Sequence, residues 1–155
     1  MPGYGVVGET EGAGLLPWSW AEERLDRAHD YWLATASAAA RPHVMPVWGM
    51  WHDGALWFSC SGGSRKTRNL LANARCSIAT DDPAEPVVLE GTAEVVDDLS
   101  ALRRVLELEN AKYGTAYGME MFDPAVNTTF RFRAEVVFGL DTSDFTGSPT
   151  RWTFA

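Results

Sequence analysis

An Asp53-Gly54 dipeptide between two apolar runs constrains the fold more than any other feature of this sequence. Both central positions of a two-residue type I′ turn need a positive φ, which Asp and Gly tolerate, so the dipeptide predicts a β-hairpin. Its strands would be residues 43–52 and 55–61. Both faces of this hairpin are largely apolar, whereas a sheet with one solvated face alternates apolar and polar residues. We therefore expect one face in the core and the other against a ligand or a second subunit.

Further strands are indicated by runs of β-branched and aromatic residues along the chain. They cover residues 31–37, 75–81, 86–97, 128–140 and 151–154. The run at 128–140 carries apolar residues on one face and Arg131, Arg133 and Glu135 on the other, so one of its faces should be buried. That face would carry Phe130, Phe132, Ala134, Val136 and Phe138.

Three helices are predicted from capping residues that precede an apolar stripe. The first begins near Ser19, which has capping-box spacing to a glutamate three residues later. The second and third, residues 65–72 and 99–113, would be capped by Ser64 and Asp98. About six strands, not counting the short one at 151–154, and three helices with hairpin-type connections indicate a mainly β (α+β) fold, an antiparallel barrel with flanking helices.

One domain accounts for a chain of 155 residues. Residues 1–17 are rich in Gly and lack periodicity, so we expect a flexible N-terminal arm there and the barrel domain over residues 18–155. Thirteen Lys and Arg against 21 Asp and Glu give a formal net charge of −8. This balance excludes a general nucleic-acid binder and a protein held on anionic lipid by charge.

The rest of the composition argues against a membrane-spanning segment and against a metal site. No stretch of about 20 apolar residues is present, so no membrane insertion is expected. Two cysteines, Cys60 and Cys76, are too few for a disulfide scaffold, and the first residues lack a positive signal region, so we expect a cytoplasmic protein. The three histidines and two cysteines show no metal-ligand spacing, so no metal is expected.

Local charge marks a candidate anion site. Residues 54–80 contain no Asp or Glu, yet they include Arg65, Lys66, Arg68 and Arg75. The first three follow a Gly-Gly-Ser loop that opens a predicted helix, where free N–H groups and the positive end of the helix dipole favour anions. Guanidinium groups can bind phosphate oxygens in a bidentate manner. The alternative is a solvated basic face; the coincidence of loop, helix start and charge favours a phosphate site.

Aromatic residues are concentrated on the hairpin that leads into this loop. Three of the seven tryptophans, Trp48, Trp51 and Trp57, lie on it, and strand parity places the first two on opposite faces. One can line the core while the other lines a cleft for a flat ring, although core or dimer-interface packing would also explain them. A phosphate anchor beside an aromatic sheet suits a flat phosphorylated cofactor. No GxSxG nucleophile motif is present, so a cofactor would carry the chemistry of an enzyme built this way.

Three blocks in order, Arg-Pro-His-Val-Met-Pro-Val-Trp-Gly (41–49), Asp-Gly-Ala-Leu-Trp-Phe (53–58) and Ser-Arg-Lys-Thr-Arg-Asn-Leu (64–70), resemble the pyridoxamine 5′-phosphate oxidase-like family. The likeness covers roughly residues 20–154 and is greatest to the branch that uses the deazaflavin coenzyme F420. The resemblance implies a six-stranded antiparallel split β-barrel that forms a homodimer with cofactor sites at the subunit interface.

The resemblance also implies a set of cofactor-binding residues. Those lining the cofactor ring and its linker would be Met45, Pro46, Val47, Trp48 and Ser59. Those holding its phosphate and acidic tail would be Arg65, Lys66, Arg68 and Asn69. The implied function is an F420-dependent reductase that transfers a hydride between the deazaflavin and an unsaturated organic small molecule. The alternatives are an FMN-binding flavin oxidoreductase and a non-catalytic cofactor carrier. No catalytic side chain is identified from the sequence.

Overall fold

A computed structural model describes residues 14–154 of the chain. The arm predicted over residues 1–17 lies mostly outside this range, so the division at residue 18 stays a prediction. The helices are α1 Trp18–Arg27, α2 Arg65–Ala72 and α3 Leu99–Tyr113, with short 3₁₀ helices at Met119–Phe122 and Thr142–Asp144. The strands are β1 Asp30–Ala36, β2 Pro42–Trp48, β3 Met50–His52, β4 Ala55–Ser61, β5 Arg75–Thr80, β6 Val87–Val95, β7 Asn127–Gly139 and β8 Thr150–Thr153.

All eight strands belong to one antiparallel sheet. Seven of them follow the order β2-β1-β5-β6-β7-β4-β3, and β8 pairs with β7. The long strand β7 pairs with β4 along its first half and with β8 along its last four residues. The sheet curls until β2, at one end, contacts β4 near the other end, and no hydrogen-bonded ladder joins the two. The barrel therefore has an open seam. This confirms the split β-barrel with flanking helices, with eight strands in the described residues instead of six.

The predicted hairpin is right about its turn and wrong about its first strand. Asp53 and Gly54 adopt φ of 51° and 65°, as the turn requires, and join β3 to β4. The run from 43 to 52, however, divides at Gly49 into β2, which pairs with β1, and β3. A Cβ at Gly49 would lie 3.2 Å from the carbonyl oxygen of Trp57, so glycine allows the chain to approach β4 closely here.

Helix caps account for where α2 and α3 begin. The side chains of Ser64 and Asp98 accept hydrogen bonds from backbone N–H groups three residues later, as predicted. The capping box at Ser19 is wrong, because α1 begins one residue earlier and its N-cap is Pro17 without a side-chain cap. Burial of one face of α1 in the core stabilises that helix instead. Among the described residues, no helix is both long and apolar enough to cross a lipid bilayer.

A β-bulge reverses the alternation along β7. Glu90 pairs with Val136 while Gly91 pairs with Ala134, which leaves Glu135 as an extra residue. Phe130 and Phe132 are buried, as predicted, but beyond the bulge the parity switches. Val137 therefore enters the core, whereas Phe138 is 40% exposed, so the prediction of a buried Phe138 is wrong.

Two hydrophobic clusters form the interior. The larger fills the barrel and includes Tyr31, Leu33, Phe58, Phe130 and Phe132, all with 1% exposure or less. Burying one such side chain contributes about 1.5–3 kcal/mol. The smaller cluster lies beneath α3 and includes Met50, Trp57, Leu102, Val105 and Phe122. The smaller cluster fixes α3 beside the break between β2 and β3.

Candidate cofactor-binding site

The loop after β4 is held firmly against the start of α2. The Thr67 hydroxyl donates a hydrogen bond to the carbonyl oxygen of Ser61 at 2.8 Å, and the N–H of Thr67 donates to Ser64 Oγ at 3.3 Å. Thr67 and Leu70 are buried, and α2 contacts β1, β2 and β4. The glycines and the first turn of α2 therefore occupy a defined place at the open seam of the barrel.

Three cations lie at the start of α2 without acidic partners. Arg65 and Arg68 are exposed and Lys66 is half-buried, and none of the three forms an ion pair with any residue in 14–154. Arg68 donates to the carbonyl oxygen of Gly63. In a chain of net charge −8, unpaired cations beside a helix N-terminus are suited to hold an anion. We call Arg65, Lys66 and Arg68 the α2 cations.

Arg75, the fourth cation of that sequence segment, lies elsewhere. It begins β5 and forms an ion pair with Glu135 at 3.5 Å. Two more arginines that differ from the α2 cations lie in a surface depression of about 420 Å³ between α1 and residues 80–85, which is lined by side chains of both charges. There Arg24 and Arg27 both pair with Glu85. The arginines at these two places are neutralised, which distinguishes the α2 cations from them.

Asn69 and Ser59, two further predicted site residues, have their polar atoms engaged within the protein. Asn69 is 5% exposed, and its amide donates to the hydroxyl of Thr35 at 3.0 Å. Ser59 Oγ lies 2.8 Å from the Thr129 hydroxyl on β7. Asn69 thus ties α2 to β1, and Ser59 ties β4 to β7.

Four of the five residues predicted to line the ring and linker, all but Ser59, lie on β2, an edge strand of the sheet. Val47 is buried, whereas Met45 is 44% and Trp48 is 41% exposed. Pro46 is also exposed, and an edge strand tolerates its missing N–H. The thioether and the indole, three residues apart, lie on opposite faces of this strand, and each is accessible at the edge of the sheet.

The structure adds Tyr113 and Lys112, which sequence reasoning missed. The ring of Tyr113 stacks on Trp48 with centroids 4.3 Å apart and an interplanar angle of 5°. Its hydroxyl accepts the N–H of Gly49 at 2.8 Å and donates to the carbonyl oxygen of His29 at 2.7 Å. Lys112 donates to the Gly49 carbonyl at 2.8 Å. These contacts span more than 60 residues of sequence, so no local pattern signals them.

Burial shifts the acid–base behaviour of several groups near the site. It raises the pKa of Tyr113 to about 12 and lowers that of Lys112. Burial also raises the pKa of the Cys60 thiol to about 11, although the charge of Lys66 acts in the opposite direction. Cys60 is therefore a neutral thiol near pH 7, unsuited to nucleophilic chemistry. Within residues 14–154, no group of three His, Cys, Asp or Glu side chains could hold a metal ion.

The outer face of the sheet exposes apolar side chains. Trp32, Val44 and Phe138 are 47%, 52% and 40% exposed. Beside them is a shallow depression of about 380 Å³, lined by small residues such as Ala34 and by the charged side chains of Arg75, Glu90 and Glu135. We call this surface the outer sheet face. Contiguous exposed apolar residues of this kind are typical of an interaction surface.

Comparisons with known proteins agree with the fold. Among solved structures, an F420 reductase superposes with a TM-score of 0.61 at 25% identity, covering 75% of this chain and 94% of that one. A conserved hypothetical protein, Rv2991 of Mycobacterium tuberculosis, gives 0.72 at 23% identity and coverages of 82% and 86%. A heme binding protein of Mycobacterium smegmatis gives 0.71 at 22% identity and coverages of 89% and 59%.

No curated protein matches the chain by sequence. The family model described as pyridoxamine 5′-phosphate oxidase matches residues 21–141, which is most of the barrel and all three helices except the first residues of α1. With the split barrel in place, this match shows that the chain belongs to the pyridoxamine 5′-phosphate oxidase-like family.

Proposed function

We propose that this protein is an F420-dependent reductase acting on an unsaturated organic small molecule. The observation that carries the proposal is the set of unpaired α2 cations at the seam of the barrel. Coenzyme F420 has a phosphate and an acidic tail at one end and a flat ring at the other. The similarity to an F420 reductase over 75% of the chain supports the same assignment.

The arrangement of α2 and β2 matches an elongated ligand. Asn69 on α2 bonds to Thr35, which pairs with His43 near the start of β2. Trp48 lies five residues further along the same strand, or about 17 Å at the usual rise per residue. The point where α2 is tied to the sheet and the indole of Trp48 would therefore lie at opposite ends of one edge strand, which supports an elongated ligand.

The proposed roles follow from these positions. Arg65, Lys66 and Arg68 would bind the phosphate and the acidic tail. Asn69, whose amide is engaged with Thr35, would hold the helix that carries them. The ring and linker would lie against Met45, Pro46, Val47, Trp48 and Ser59. When bound, the reduced deazaflavin supplies a hydride to the substrate, and the protein supplies binding, orientation and exclusion of water.

The proposal includes a homodimer in which a second copy covers the outer sheet face. A monomer would leave Trp32, Val44 and Phe138 in water. Burial of apolar area drives most protein association, and stable interfaces bury about 800 Å² on each partner. The free thiols Cys60 and Cys76, both buried, fit a reducing cytoplasm.

A binding titration tests the coenzyme assignment. We expect the purified protein to bind oxidised F420 more tightly than FMN, with an affinity that falls as salt is raised, because charged contacts dominate. Tighter binding of FMN would overturn the proposal and favour the flavin oxidoreductase. Binding of reduced F420 with no turnover across a panel of enones and quinones would favour a cofactor carrier.

Two double variants test whether the α2 cations bind the phosphate and the acidic tail. Replacing Arg65 and Lys66 by Ala should weaken F420 binding by at least about a hundredfold, since each charged hydrogen bond contributes about 1.5–3 kcal/mol. The control is Arg103→Ala with Arg104→Ala, which removes the same charge from the exposed side of α3. Equal F420 affinities of the two double variants would contradict this role of Arg65 and Lys66.

A further inference from the structure

We infer that Tyr113 is a positioning residue that fixes the indole of Trp48 as a platform for the coenzyme ring. The inference rests on the proposed function, because it takes Trp48 to lie beside that ring. It adds a residue from α3, outside the three sequence blocks on which the resemblance depends. Tyr113 itself would not touch the coenzyme, because its ring packs against the indole of Trp48.

The stack between the two rings is the first observation. Trp48 is near the end of an edge strand, where a large side chain has no partner strand on one side. The ring of Tyr113 lies 4.3 Å from it and nearly parallel, with an interplanar angle of 5°. Aromatic pairs of this kind contribute about 0.5–1.5 kcal/mol beyond their area burial. The indole is still 41% exposed, so part of its surface remains open to a ligand.

The hydrogen bonds at Gly49 are the second observation. The residue that follows Trp48 has its N–H bound to the Tyr113 hydroxyl and its carbonyl bound to Lys112 Nζ, both at 2.8 Å. The same hydroxyl donates to the carbonyl of His29, and the His29 ring is edge-on to both aromatic rings. The backbone beside Trp48 and its side chain are therefore held by the same helical turn.

The anchoring of α3 is the third observation. Leu102 and Val105 are buried in the cluster beneath this helix, together with Met50 of β3 and Trp57 of β4. The last turn of α3 therefore has a fixed position relative to the end of β2. Rotation of the indole away from Tyr113 would give up the stack, so the packed orientation is favoured before a ligand binds.

This arrangement predicts which kinetic parameter Tyr113 controls. The α2 cations, which lie on a different element from Trp48, would supply most of the binding free energy. Loss of the platform would leave the coenzyme bound but its ring poorly oriented, and small misplacements of reacting groups cost large factors in rate. Changes at Tyr113 should therefore lower kcat much more than they weaken coenzyme affinity.

The test separates the ring of Tyr113 from its hydroxyl. Tyr113→Leu should abolish the near-ultraviolet circular dichroism of the Trp–Tyr stack in the coenzyme-free protein. In the wild type, packing of the coenzyme ring against Trp48 should shift the absorption spectrum of bound F420. Tyr113→Leu should remove this spectral shift and lower kcat about tenfold or more, with a change in Kd of about threefold or less. Tyr113→Phe keeps the ring and should retain both spectral signatures. The control is Tyr117→Leu, an exposed tyrosine four residues later.

The outcomes distinguish this inference from the function on which it rests. If the wild-type protein fails to bind F420, the proposed function and this inference both fall. If it binds F420 and Tyr113→Leu keeps the wild-type spectral shift and kcat, this inference alone is overturned. Should Tyr113→Leu not fold, Trp48→Leu at an exposed edge position tests the platform on which the inference depends, and an unchanged spectral shift in that variant would overturn the inference.

Discussion

The side-chain amide of Asn69 donates a hydrogen bond to the hydroxyl of Thr35, 3.0 Å away, in the interior between α2 and β1. Both residues are at most 5% exposed. The bond is a buried polar contact between the helix that carries the α2 cations and the strand that pairs with β2. The placement of the α2 cations on the sheet therefore depends in part on an uncharged pair.

Removing either member of this pair should destabilise the protein. We expect Asn69→Ala and Thr35→Val each to lower the free energy of unfolding by about 1–2 kcal/mol, since Thr35→Val leaves the Asn69 donor unsatisfied. The double variant should cost less than the sum, with a coupling of about 1 kcal/mol. Urea denaturation measures all three. Asn73→Ala combined with Thr35→Val serves as the additive control, because the Asn73 side chain is exposed and accepts a hydrogen bond from the nearby Arg75 N–H. If the losses of unfolding free energy in the two single variants simply add in the double variant, the predicted coupling between Asn69 and Thr35 is contradicted.

Local signals in the sequence were sufficient for the parts of the fold that local chemistry determines. Ser64 and Asp98 cap their helices and Asp53-Gly54 forms its turn, because each of these needs only neighbouring backbone. The division at Gly49 and the bulge at Glu135 depend on strands that approach from distant parts of the chain. For the candidate site, the α2 cations are visible as a local charge pattern, whereas the contact of Tyr113 with Trp48 is a tertiary one.

Glu109 should make stability depend on pH. It is 3% exposed on the buried stripe of α3, and burial raises its pKa from 4.5 to about 7. The folded protein therefore binds this proton more tightly than the unfolded chain does. The contribution of the protonated carboxyl is fully present below about pH 4.5 and is lost as pH rises through about 7.

Denaturation of Glu109→Gln alongside the wild type checks this. Between pH 5 and pH 8, we expect the free energy of unfolding of the wild type to fall by about 2 kcal/mol relative to the variant. Glu109→Gln should be the more stable protein at pH 8. Glu107→Gln is the control, because Glu107 is exposed on the same helix and pairs with Arg104. Parallel pH curves for the wild type and Glu109→Gln would show that Glu109 does not titrate in this range.

Gly91 should not accept a side chain. A Cβ at this position would lie 2.0 Å from the backbone carbonyl oxygen of Arg133 on β7, the strand that carries the bulge. We expect Gly91→Ala to lower the free energy of unfolding by about 3 kcal/mol or more, because two strands must separate to relieve the overlap. Gly63→Ala has open space around its new methyl group and should change stability little. Thermal unfolding of the two variants makes the comparison, and equal melting temperatures would contradict the close approach.

The outer sheet face should control assembly. Trp32 is 47% exposed, and the register β1-β5-β6-β7 places it in line with Ala79, Val88 and Phe138. We expect the wild type to sediment as a dimer and Trp32→Glu to sediment as a monomer, because a charge in an apolar interface loses its hydration. Leu99→Glu adds the same charge at the exposed first turn of α3 and should remain a dimer. If coenzyme sites form between the subunits, Trp32→Glu should also lose F420 binding while its circular dichroism remains that of a folded barrel. A monomeric wild type, or a dimeric Trp32→Glu, would contradict an interface on this face.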